Sequence, residues 1–510
     1  MTVASRDRPS DRPGAPAGSS ATRDALTVLQ PGFPGTTAPD WLLRLLGQGL
    51  GSVGLFARNI ESPGQLAALT AQLRAVRPDV LVAADEEGGD VTRLEARGGS
   101  SFPGNLALGA VDDVGLTRAV AAELGRRLAE CGVNLNWAPS ADVNSDPGNP
   151  VIGVRSFGAD PELVARHTAA YVEGLQSAGV AACVKHFPGH GDTATDSHLA
   201  LPRIDVDAAT LHGRELVPFR AGLAAGAKGV MSAHILVPSL DPDLPATLST
   251  AVLGGLLRAP RERGGLGYEG LVITDGIEMQ AIAATYGIER GTVMALAAGA
   301  DAICVGGGLA DERTVLDLRD AIVAAVAEGS LPAERLADAA RRVRELAAWA
   351  VGRAGAARGL PPGADVGLEA ARRAVRVTRS ADFAPLDAAP FVAVFTPEAN
   401  IAAGADTPWG PAAELDRLLP GTLSGSFRSA DATPVLAAAG ERRIVAVVRD
   451  AHRHAWMEAA LDALLAARPD TIVIEMGVPQ SPPLGALHIA THGAARVCAT
   501  AAAEAIHSAR

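Results

Sequence analysis

Eight short apolar runs recur between residues 23 and 355, each bounded by Gly, Pro, Asn or Asp. They fall at residues 25–29, 52–56, 80–84, 134–137, 180–184, 229–232, 271–274 and 302–305. Between them lie stretches of helical Leu/Ala/Val periodicity, for example 64–76, 114–130, 161–178 and 207–225. A strand with no polar face needs cover on both sides, and a following helix supplies it. Eight such units in succession predict an α/β chain whose residues 23–351 form a (β/α)8 TIM-type barrel. A doubly wound sheet shares the alternation, and periodicity alone does not separate the two.

The polar residues sharpen this reading. In a barrel the chemistry sits on the loops that follow the strands. Asp85-Glu86-Glu87-Gly88-Gly89 follows the third run, and a segment through Arg155 follows the fourth. Lys185-His186 follows the fifth, Ala233-His234 the sixth and Asp275 the seventh. A purely structural chain has no need for this bias.

At 510 residues the chain exceeds one ordinary core. Residues 1–22, rich in Ser, Pro, Arg and Ala, are expected to be a flexible tail, and 352–365 a Gly/Ala/Pro linker. A second α/β pattern over 366–510 predicts a smaller sandwich domain with a mostly parallel sheet, its strands at 391–395, 443–448 and 471–475. The net charge of −12 argues against nucleic acid or an anionic membrane as partner. No run of about 18 apolar residues suggests a membrane span. The first residues lack a signal-type apolar run, so a cytoplasmic protein is expected. Four cysteines without CxxC spacing predict buried reduced thiols and no zinc site built from them. The oligomeric state is not legible.

Lys185 through His198 holds three of the eleven histidines. Pro188, Gly189 and Gly191 forbid a regular helix there, so the segment is a shaped loop. Asp196 and His198 are two apart, a spacing that brings carboxylate and imidazole together on an extended or turning backbone. A histidine so oriented can give and take a proton near neutral pH. On residue types alone three readings stay open: an acid/base dyad, a metal site from His186, His190, His198, Asp192 and Asp196, or a structural loop. Asp275 ends an apolar strand before Gly276. Such a carboxylate can attack an anomeric carbon, or merely cap a helix. Asp85 can be turn chemistry, and Arg93 and Arg155 surface ion pairs. Arginine supplies all but two of the 45 basic residues, which singles out Lys185.

These segments together resemble glycoside hydrolase family 3, in its β-N-acetylhexosaminidase branch. The resemblance covers about residues 23–350. Lys185–His198 running on to Leu201-Pro202 is similar to the branch's signature loop. Asp85-Glu86-Glu87-Gly88-Gly89 with Arg93, Asn149 through Phe157, and Thr274-Asp275 with Met279 are similar to three further motifs. The resemblance implies a retaining exo-acting β-N-acetylglucosaminidase without metal or cofactor, acting on N-acetylglucosamine-containing oligosaccharides or glycopeptides, as in cell-wall recycling. It implies Asp275 as nucleophile and His198, held by Asp196, as acid/base. It implies Asp85, Arg93, Arg155, Lys185 and His186 as sugar-binding residues. Three positions depart from the pattern: Glu86 where Gln is usual, Asp90 where Arg is usual, and Gly276 where Asp is frequent. A phosphorylase acting on the same glycosides, a β-glucosidase of the same family, and a sugar-binding protein without catalysis are the alternatives.

Overall fold

The computed structural model describes residues 17–509 apart from 198, 307, 310, 361, 364 and 398–406. Its first sheet system contains β1 (Leu29–Pro31), β2 (Ser52–Leu55), β3 (Leu81–Ala84), β4 (Leu135–Asn136), β5 (Ala181–Phe187), β6 (Gly229–Ser232), β7 (Leu271–Thr274) and β8 (Ile303–Val305). Strands β2 to β7 form one parallel sheet in sequence order, and β1 pairs with β8. A parallel bridge between Ile273 and Ala302 joins β7 to the entry of β8. Between β1 and β2 the link among the described residues is the Ser52 hydroxyl donating to the Leu29 carbonyl, not a backbone ladder. The sheet thus curls as a barrel does, with its closure left incomplete at that seam.

Every residue of these strands is buried, as expected of strands covered on both faces. Side chains alternate between two layers. Val53, Val82, Val184, Val230, Val272 and Ile303 pack outward under the helices. Leu81, Ala83, Leu135, Cys183, Met231, Ile273 and Cys304 fill the interior around Trp137. Val343, Leu346, Ala347 and Ala350 of the helix Ala333–Gly352 join that interior cluster and plug one end of the barrel. The four cysteines are buried free thiols.

The structure corrects two readings of the amino-terminal segment. The run at 25–29 is not a strand: Ala17–Thr27 is a helix, and β1 begins at Leu29. Ala25 and Leu26 are the buried face of that helix's last turn, and a short apolar run has the same composition in either state. Residues 17–22, expected in the tail, are the helix's first turns.

A second sheet contains β9 (Arg376–Arg379), β10 (Phe391–Phe395), β11 (Leu423–Phe427), β12 (Ile444–Val448), β13 (Ile472–Glu475) and β14 (Leu487–Ala490). The order is β11-β10-β12-β13-β14-β9, parallel except for β9 at the edge. Period-two alternation sends Val445, Val447, Ile472 and Ile474 to one face and Ile444, Ala446, Val448 and Val473 to the other. The helix Val366–Ala374 lies between the two sheet systems: Ala370 packs into the barrel's outer core and Ala371 into the second core.

Candidate active site

The site begins at the end of β3. Gly88 and Gly89 have φ of +78° and +63°, which lets the chain double back. The Glu87 amide donates to the Val91 carbonyl at 3.0 Å and closes the hairpin. Glu86 turns inward and its carboxylate accepts the amides of Arg93 and Leu94 at 2.7 and 2.8 Å. Burial lifts its pKa to about 7 against these hydrogen bonds. Asp85 and Glu87 meet at the Lys185 ammonium, whose Nζ lies 2.5 Å from Asp85 and 2.7 Å from Glu87. Arg155 forks onto Glu87 with two hydrogen bonds of 3.0 and 2.7 Å. The Arg93 guanidinium stands 3.6 Å from Asp85.

Burial works against the charges of Glu87, Arg155 and Lys185, and mutual pairing sustains them. The two cations outweigh burial at Glu87 and hold its carboxyl well below the ordinary range. Asp85 and Glu87 in turn hold the Lys185 ammonium above its ordinary pKa. The result is a preorganised set of fixed charges, able to grip several hydroxyls of one sugar.

The loop after β5 supplies the next layer. His186 Nδ1 lies 2.7 Å from Asp142 Oδ2, and its Nε2 lies 3.4 Å from Arg155. Asp142 Oδ1 accepts the backbone amides of His186 and His190 at 3.1 and 2.8 Å. Burial pushes the Asp142 carboxyl up, but the His186 imidazole and these donors outweigh it and set it at about 2. Asp142 therefore orients the His186 ring and fixes the loop backbone together. His190 is buried, and burial with the neighbouring His186 lowers its pKa to about 4. Behind the loop, Arg214 bridges Asp192 at 2.5 Å and Glu215 at 2.6 Å.

Asp275 follows β7 and is partly exposed. Its amide donates to the Ser232 carbonyl at 3.1 Å, and its own carboxylate accepts the Gly276 amide at 2.8 Å. His234, after β6, is buried, with Nε2 2.9 Å from the Gly276 carbonyl and Nδ1 2.9 Å from Thr247 Oγ1. It braces the turn that carries Asp275. Asp196 stands on the same loop as His190, partly exposed, its carbonyl accepting the amides of Leu199 and Ala200 at 3.0 Å each. His198 lies outside the described residues.

Of the residues singled out from sequence, Asp85, Arg93, Arg155, Lys185 and His186 converge in one charged cluster. Asp275 follows β7, two strands on from β5 in the sheet. Glu87 and His234 stand among the polar residues that follow their strands but have no individual role legible in the sequence, and Asp142 has no sequence signal at all. Glu87 was visible inside the Asp85–Gly89 run. Asp142 is 44 residues from His186, and an acid followed by Val143 and Asn144 after a short strand carries no motif.

Residues 38–346 match the glycosyl hydrolase family 3 N terminal domain. The chain belongs to glycosyl hydrolase family 3. A beta-hexosaminidase from Alkalilimnicola ehrlichii is 41% identical over 261 residues, which cover 50% of this chain and 73% of that relative. Beta-hexosaminidase A from Pseudoalteromonas piscicida is 37% identical over 289 residues, 52% of this chain, and the match spans only 47% of its length. The structure of a glycoside hydrolase family 3 beta-N-acetylglucosaminidase from Paenibacillus sp. str. FPU-7 superposes with a TM-score of 0.84 at 34% identity, covering 96% of both chains. The family relationship therefore reaches beyond the barrel in that structure.

Proposed function

We propose that the chain is a retaining, exo-acting β-N-acetylglucosaminidase that removes terminal β-linked N-acetylglucosamine. The observation that carries this is the convergence of Asp85, Arg155, Lys185 and His186 with Glu87 on strand ends of a family 3 barrel whose β7 end carries Asp275. Relatives named for hexosaminidase activity support the choice of sugar.

In this reading Asp275 attacks the anomeric carbon while His198, oriented by Asp196, protonates the departing oxygen. A glycosyl-enzyme forms on Asp275 with retention still to come. Neutral His198 then takes a proton from water, which attacks the same carbon and frees the sugar. Asp85, Arg93, Arg155, Lys185 and His186 hold the sugar's hydroxyls. A neutral base does not repel an anionic acceptor, so inorganic phosphate can replace water in the second step.

The test is release from aryl β-N-acetylglucosaminide against aryl β-glucoside, with and without phosphate, using Asp275→Ala as control. Selective release from the N-acetyl substrate, lost in the variant, supports the proposal. A sugar phosphate product makes the enzyme a phosphorylase, and selective release from the glucoside makes it a β-glucosidase. Sugar binding without turnover leaves a binding protein.

A further inference from the structure

The sugar-gripping hairpin is held from outside the barrel. Asp90 follows Gly88-Gly89 at its tip and is buried, 9% exposed, yet its carboxylate faces away from the sugar site. Oδ1 accepts the Ala494 amide at 2.8 Å, and Oδ2 pairs with the Arg449 guanidinium. Both partners belong to the second sheet system. Arg449 directly follows β12, and Ala494 lies just before the carboxyl-terminal helix Arg496–Ser508.

The groups that present Arg449 are themselves fixed. Asp450 has a left-handed backbone, φ +53°. Its amide donates to the buried Glu475 carboxylate at 2.9 Å, and its side chain accepts the Val478 amide at 2.7 Å. His452 Nε2 reaches back to the Pro147 carbonyl at 2.8 Å. Arg155, which grips Glu87, lines the same narrow cleft between the units, together with Asn149, Arg449 and Arg453. A rigid mount on the second unit therefore meets a two-glycine turn on the first. That turn separates Glu87 from Arg93.

We infer that Asp90 and Arg449 are positioning residues. Docking of the second unit through this ion pair holds the Glu87–Arg93 hairpin in its sugar-binding geometry, so affinity at the barrel site depends on a residue of the other unit. The inference rests on the proposed sugar-binding role of the hairpin.

The experiment compares full-length wild type with Asp90→Asn, Arg449→Met, Arg449→Lys and the double variant Asp90→Asn/Arg449→Met. Asp90→Asn keeps an acceptor for Ala494. Two readouts are taken: hydrogen exchange of residues 86–94, and KM and kcat on aryl β-N-acetylglucosaminide. Residues sharing one ion pair are coupled. Arg449→Met is expected to speed exchange of the hairpin amides and to raise KM about tenfold, with kcat changed much less. The double variant should be no worse than Arg449→Met alone, and Arg449→Lys, which keeps a charge on a side chain of different shape and reach, should fall between. Unchanged hairpin exchange in Arg449→Met, or additive losses in the double variant, overturns the inference. Faster exchange with unchanged KM also overturns it, because the pair then only joins two units. Should wild type not release the sugar at all, the proposed activity fails, while the exchange data still decide whether the latch holds the hairpin.

Discussion

Glu86 changes meaning once its surroundings are known. The sequence places an added negative charge where the family usually has Gln. The structure buries that carboxyl and lifts its pKa to about 7, so near neutrality it is substantially a neutral acid, close to the amide it replaces. The folded state then binds a proton that the unfolded chain, with an ordinary value of 4.5, has released. Its contribution to stability is full below pH 4.5 and is lost as pH rises through about 7. Glu86→Gln removes this term. Its stability relative to wild type should improve by roughly 2–4 kcal/mol between pH 5 and 8. Urea unfolding at the two pH values measures it, and parallel behaviour of the two proteins would refute it. Asp142 is the complementary case, an ionised buried acid whose purpose is orientation. Asp142→Asn should cost about 1.5–3 kcal/mol in kcat/KM by releasing the His186 ring and the loop amides. Steady-state kinetics at fixed pH would show it. For the proposed acid, His198→Ala should lower turnover of substrates with poor leaving groups by about 100-fold or more. Activated aryl glycosides, which need little protonation, should lose far less in glycosylation, and equal losses would contradict the acid role.

Among the elements, the barrel strands were legible because parallel strands covered on both sides must be continuously apolar, and because functional polar residues cluster just beyond them. The strands that escaped notice lack that signature. β9, Arg376–Arg379, is an exposed edge, and β11, Leu423–Phe427, carries Ser and Gly in its middle. β14, Leu487–Ala490, has a histidine within it. The segment 207–225 does form a nearly continuous helix, but Leu211–Glu215 winds as a π-turn, which places buried Glu215 against the histidine loop. Periodicity near 3.6 does not reveal such a turn. The hairpin after β3 gives a sharper test of element geometry. A Cβ on Gly89 would lie 2.4 Å from the Gly104 Cα, and the backbone there is left-handed. Gly89→Ala combines a left-handed cost with a clash against backbone, about 2–4 kcal/mol together. It should weaken sugar binding as well, because Glu87 and Arg93 flank the turn. Denaturant midpoints and KM measured on the same preparation report both effects, and an unaltered KM would detach the turn from the site.

At the scale of the whole molecule, the contacts that join the two sheet systems link residues hundreds of positions apart. Asp90 and Ala494 are separated by 404 positions, beyond the reach of any local pattern. The sequence could mark a Gly/Pro-rich stretch at 352–365, but not which core the helix after it would serve. That helix, Val366–Ala374, serves both. A Cβ on Gly367 would lie 2.0 Å from the Ser101 carbonyl, so the helix lies directly on the barrel loop. Arg373 pairs with Asp113 at 2.9 Å, and Arg376 Nη2 donates to the Ala110 carbonyl at 2.5 Å. A barrel ending after residue 365 therefore loses part of its own outer layer, whereas one ending after residue 376 keeps it. The longer truncation product should melt higher, by roughly 3 °C or more, since each kcal/mol shifts the midpoint of a product this long by about one to two degrees. Thermal scans of the two products side by side decide the matter. Equal midpoints would mean that the helix stabilises only the second core, and that the barrel is complete without it.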